Sequence, residues 1–215
     1  MKKEKRQTHP IMVVKQDVIF DSNYFNGFIS ANMFDYESKI LKNFGYMSRC
    51  FADGDHNYKQ PISYGIVTNF FLNQIFVYRR EKKGERYTEK RLQGKLSLGV
   101  GGHIEQSDSG NPIHSSLRRE LKEEIRLRSF KTPKVLGYIN DDSDDVGKDH
   151  LGILYLIETS QSVIKPKPKG ELASGRLIPF SKLESLIKTA ESPKSKIIIE
   201  NWSKIAYGAL KKYFR

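Results

Sequence analysis

Glu120, Glu123 and Glu124 stand three and four residues apart, a spacing that puts them on one arc of an α-helix at about 100° per residue. Ile113, Leu117, Leu121 and Ile125 recur every four positions through the same stretch, so the carboxylates border the buried face instead of lying opposite it. Three like charges within one turn repel, and the edge of a core makes each ionised form costlier still. A cation relieves both penalties, and hard carboxylate oxygens suit Mg²⁺ or Mn²⁺. Arg119, four residues before Glu123, is placed to orient it. The ordinary alternative is a solvated helix whose glutamates pair with Arg118, Arg119, Lys122 and Arg126.

Context argues for the chemical reading. A strand expected over Lys95 to Val100 runs into Gly101 and Gly102, where the backbone can turn sharply or approach a ligand closely. His103 follows directly and is a candidate for reaching a phosphate. A polar loop from Gln106 to Asn111 leads into the helix, with Asn111 as its cap and Pro112 in its first turn.

The elements that must hold this stretch are legible as patterns. Ile11 to Val14 is an expected strand, and Tyr36 to Met47 carries helical spacing. Cys50 to Gln60 is turn chemistry. Ile62 to Phe71 and Gln74 to Arg79 form an expected hairpin. From Arg79 to Arg91 seven Lys or Arg face three Glu, which reads as a solvated loop. Strands are expected at Val135 to Ile139 and Leu151 to Glu158, either side of the acidic run DDSDDVGKD, which reads as a solvated turn since its spacing fits no EF-hand, with a second cation site as the alternative. His150 precedes the second of these strands and is a candidate at its mouth. A stiff KPKPKG connector, a short helix over Ser181 to Thr189 and a longer one over Ser195 to Phe214 complete the chain. Strands, helix, strands and helix in this order predict helices packed on a mixed sheet. Residues 1–60 are expected to form an N-terminal extension and residues 61–215 the catalytic domain.

Composition bounds the rest. The 215 residues carry 37 Lys and Arg against 25 Asp and Glu, a net charge of +12, which attracts polyanions without naming one. With a mean hydropathy of −0.57 and no apolar run near 18 residues, a membrane-spanning helix is not expected. One cysteine, Cys50, excludes a disulfide framework and Cys-rich zinc sites, and the basic N-terminus lacks a signal-peptide apolar stretch, so a cytoplasmic location is the default.

Gly-Gly, a loop, then Arg-Glu-Leu-Lys-Glu-Glu resembles the signature of the Nudix hydrolase superfamily: Gly, five residues, Glu, seven residues, then Arg-Glu-apolar-x-Glu-Glu-x-Gly-apolar. Arg119, Glu120, Leu121, Glu123, Glu124 and Leu127 match its second half, and Gly102 its leading glycine if Ser107 to Ser109 is an insertion. Asn111 stands where the first Glu is usual and Arg126 where the last Gly is. Glu105 or Asp108 could supply the missing carboxylate, and a helix end can close without a left-handed glycine.

The resemblance implies an α/β (α+β) fold, an α/β/α sandwich with a mixed sheet, and metal-dependent hydrolysis of a nucleoside diphosphate linked to another moiety. It makes Glu120, Glu123 and Glu124 the metal ligands, with a backbone carbonyl near Gly102, and Mg²⁺ or Mn²⁺ the cofactor. Gly101, Gly102, His103 and His150 are the expected substrate contacts, Arg119 a supporting residue, and Glu171 or Glu158 the candidate general base outside the signature. The expected partner is a phosphorylated, nucleotide-like small molecule, with a homodimer left open. An alternative is a scaffold that has lost hydrolysis and binds a nucleotide or nucleic acid, which steep salt dependence would reveal. A third is an isomerase of isoprenoids on the same scaffold, using Cys50.

Overall fold

A computed structural model describes residues 8–80, 92–168 and 170–214. Apart from Arg79 and Arg80, the basic stretch read as a loop lies outside them. Along the described chain run β1 (Pro10–Lys15), α1 (Gln16–Phe20), β2 (Gly27–Ser30), α2 (Tyr36–Asn43), β3 (Gly45–Ser48), α3 (Arg49–Ala52), β4 (Tyr58–Asn69), β5 (Gln74–Arg80), β6 (Leu96–Ser97) and β7 (Gly99–His103). Then come α4 (Pro112–Glu124), β8 (Lys134–Asn140), α5 (Asp145–Asp149), β9 (His150–Glu158), β10 (Leu172–Pro179), α6 (Phe180–Ala190) and α7 (Asn201–Leu210). The class is α+β with a mixed sheet, as expected.

Two compact units share the chain. The first takes the described residues up to Tyr64 with Gly101–Arg119 and Val135–Tyr155, and the second takes Gly65–Val100, Glu120–Lys134 and the residues from Leu156 onward. The continuous elements β4, α4 and β9 therefore serve both.

In the first unit β1 pairs antiparallel with β3, Ile11 opposite Met47, and with the start of β4, Val14 opposite Lys59. β2 pairs antiparallel with β8, Phe28 opposite Ile139. Tyr36, fully buried, gathers the rings of Phe25 and Tyr138, each 5.2 Å away between centroids. The helix expected from Tyr36 to Met47 ends at Asn43, because Phe44 turns extended (ψ 155°) and Gly45–Ser48 is drawn into pairing with β1. Lys59 is wholly buried, its ammonium donating to Asp142 Oδ1 (2.9 Å) and to the carbonyls of Lys148 (2.7 Å) and Gly147 (3.2 Å). It anchors the acidic run as an internal counter-charge, so that run is more than a solvated turn.

In the second unit β5 lies between β10 and β6, Ile75 opposite Ile178 and Tyr78 opposite Ser97. The β4–β5 hairpin closes through Asn73, whose φ of 51° suits asparagine. Phe180 stacks on Phe214 at 4.1 Å between centroids. The long last helix starts late: Leu96 N–H donates to Ile198 O (2.8 Å) and Glu200 N–H to Leu96 O (3.0 Å). Residues 198–200 are thus held along a strand, and α7 begins only at Asn201.

Candidate functional site

α4 forms for the reasons its pattern suggests. Asn111 Oδ1 accepts from the N–H groups of Ile113 (3.1 Å) and His114 (3.2 Å), satisfying two of the helix's orphan donors. Ile113, Leu117, Leu121 and Ile125 are all buried. The carboxylates grade outward as the arc requires: Glu124 is 9% exposed, Glu120 half-buried and Glu123 exposed.

The C-terminal end of this helix is closed by the connector read as KPKPKG. Arg126 N–H donates to Lys165 O (2.9 Å), and Lys167 N–H donates to Glu124 O (2.8 Å), with Ile125 bridged to Pro166 between them. Lys167 Nζ also donates to Lys122 O. These bonds do what a left-handed glycine does elsewhere, and they explain how Arg126 is tolerated where the signature has Gly.

The same segment reaches the carboxylate. Glu171 N–H donates to Glu124 Oε2 at 2.7 Å. Burial pushes the Glu124 carboxyl up to about 7, with Glu171 and Glu123 adding repulsion; the Glu171 N–H and the charge of Arg80 pull the other way. Of the two candidate bases outside the signature, Glu171 is therefore beside Glu124, whereas Glu158 pairs with Lys131 (2.7 Å). Among the described residues no three His, Cys, Asp or Glu side chains form a ready metal cage. The donor set nevertheless fits a small hard cation: Glu124 is a buried carboxylate that lacks enough positive charge, with Glu120 and Glu123 on its arc. Mg²⁺ is held in this manner, through one or two carboxylates, retained water and substrate phosphate.

The other residues named from sequence lie in the first unit. Gly101 is needed for space: a Cβ there would stand 1.6 Å from Ser63 O on β4. His103 and His150 come together, Nε2 to Nε2 at 3.1 Å, and His103 Nε2 is also 2.7 Å from Gln60 Oε1. His150 Nδ1 faces Val146 O and donates to it, and the His103 Nε2–H is shared between Gln60 Oε1 and His150 Nε2, the amide oxygen being the nearer acceptor. Burial, then Arg49, the partner histidine and Arg119, hold His103 well below its ordinary value, so it is neutral near pH 7.

Arg119 grips the loop before the helix. Its guanidinium donates to both oxygens of Asp108 and to His103 O (2.9 Å). Asp108 thus supplies a carboxylate for Arg119 in a protein that has Asn111 at the signature's first acidic position, while Glu105 is 4.0 Å from the guanidinium. Gln60 had no sequence signal, since an amide in a turn-like run is common, and nothing marked Lys59 as buried.

The family model described as NUDIX domain matches residues 61–200. Protein YmaB of Bacillus subtilis (strain 168) is 31% identical over 185 residues, covering 81% of this chain and 87% of that one. The crystal structure of Tm1382, a candidate Nudix hydrolase, aligns with a TM-score of 0.72 at 24% identity, over 95% of this chain and all of that one (100%). A bifunctional NMN adenylyltransferase/ADP ribose pyrophosphatase from Francisella tularensis, complexed with AMP and a manganese ion, aligns at 0.50 and 15% identity, over 72% of this chain and 42% of that one. With the carboxylate helix, its preceding loop and the matched span taken together, the chain belongs to the Nudix family of phosphohydrolases.

Proposed function

We propose that this protein hydrolyses a pyrophosphate bond in a nucleoside diphosphate linked to another moiety, with Mg²⁺ or Mn²⁺ held by Glu120, Glu123 and Glu124. The observation that carries this reading is the buried Glu124 carboxylate, kept within hydrogen-bond reach of Glu171 N–H and raised by burial to about 7 despite the charge of Arg80. Bound there, the cation neutralises phosphate charge and lowers the pKa of its water. The chain's own residues supply the frame. Glu124 is held at the closed end of α4, Arg119 ties the preceding loop to the same helix, and Glu171, whose N–H meets Glu124, is the proposed general base. The +12 charge favours a phosphorylated partner, and one structural relative is a bifunctional NMN adenylyltransferase/ADP ribose pyrophosphatase complexed with AMP and a manganese ion.

The test is a panel of nucleoside diphosphate derivatives, ADP-ribose among them, assayed for phosphate-containing products with each metal and with chelator. Turnover is expected with metal alone, and Glu123→Gln with Glu124→Gln should lower it by about 10²-fold or more. No turnover on any member with either ion, or undiminished activity in the double variant, rejects the proposal.

A further inference from the structure

The connector does more than close the end of α4. A Cβ built on Gly170 would stand 2.6 Å from Glu124 Oε2, 3.2 Å from its carboxyl carbon and 3.4 Å from its Cα. Only the first contact falls at a distance that side-chain carbons do not tolerate, and it is to the tip of a flexible side chain. At Gly101 the obstacle is a backbone oxygen 1.6 Å away, which cannot step aside. An added methyl at Gly170 is therefore accommodated by pushing the Glu124 carboxylate off its seat.

We propose that Gly170 is a positioning residue for the reaction, its missing side chain being the space in which the Glu124 carboxylate is seated. The seat has two walls. Glu171 N–H holds Oε2 at 2.7 Å, and Lys167 N–H holds the main-chain carbonyl of the same glutamate at 2.8 Å. One short segment thus fixes both ends of Glu124. Fixing the carboxylate before a cation arrives removes the rotamer freedom that binding would otherwise have to overcome. The inference rests on the proposed metal role of Glu124.

The experiment compares the full chain with Gly170→Ala, Glu124→Asp and the double variant, by Mn²⁺ titration followed by electron paramagnetic resonance and by thermal unfolding in chelator. Gly170→Ala is expected to weaken Mn²⁺ binding about 10- to 100-fold while Tm stays within about 4 °C. In the Glu124→Asp background, where a shorter side chain leaves room for the methyl, the same substitution should add little loss. Mn²⁺ affinity unchanged in Gly170→Ala, or losses that simply add in the double variant, overturns the inference. A crystal structure of Gly170→Ala separates it from the reading beneath it. Glu124 still seated on Glu171 N–H overturns the positioning role, whereas a wild-type chain that binds no Mn²⁺ overturns the metal role.

Discussion

Arg119 and Asp108 form a two-pronged ion pair, Nε to Oδ1 at 2.9 Å and a terminal guanidinium nitrogen to Oδ2 at 3.0 Å, with the aspartate side chain only 4% exposed. Asp108 Oδ2 also accepts from Glu105 N–H at 2.8 Å. Removing one partner strands a nearly buried charge, so Asp108→Ala should cost about 3 kcal/mol, or about 6–12 °C in Tm. Asp108→Asn can keep the two bonds accepted at Oδ2 but turns an amide donor toward Arg119 Nε, so it should fall between wild type and the alanine variant. Calorimetric unfolding of the two variants checks the order; an alanine variant as stable as wild type contradicts it.

Asn111 caps α4 at a position where the Nudix signature has Glu. Asn111→Ala should cost about 1 kcal/mol. Asn111→Glu restores the signature letter but lengthens the capping side chain, and Arg119 already has Asp108. The expected result is a less stable protein with no gain in turnover. Steady-state kinetics alongside thermal unfolding decides this, and a faster Asn111→Glu enzyme would show that the departure impairs activity.

Two groups push stability in opposite directions with pH in chelator-treated protein. The folded Glu124 carboxyl is raised from 4.5 to about 7, so its contribution is complete below about 4.5 and is lost as pH rises through 7, by about 3 kcal/mol at most. Glu124→Gln should therefore gain on wild type between pH 5 and 8. His103 is held well below 6.5, so its contribution is present above 6.5 and is lost as pH falls. Unfolding curves of wild type and Glu124→Gln across this range test the first slope. An NMR titration in which His103 protonates at or above 6.5 contradicts the second.

The carboxylate helix was legible because periodicity, cap and charge all point the same way over Asn111 to Ile125, and the β4–β5 hairpin because Ile75 to Tyr78 is apolar and flanked by turn residues. What escaped was set by partners far along the chain. β10 reads LASGRLIP, with most of its side chains outside the core, and it is a strand because β5 offers it an edge. Phe44 leaves a helical pattern because β1 claims the residues after it. In the site, spacing located Glu120, Glu123 and Glu124 on one arc, but no local pattern could announce that Gly170, 46 positions beyond Glu124, leaves room for one of them.

Because β4, α4 and β9 each divide between two units, neither unit is a contiguous length of chain. During synthesis the first unit cannot close until Tyr155 has left the ribosome, and by then β5 and the whole signature helix are already waiting. Both units consequently depend on long-range closure, which slows folding. A nascent chain arrested before β9 would hold its β1–β3, β2–β8 and β4–β5 pairs but lack the strand that lies between β4 and β8, leaving those apolar edges open to misassembly.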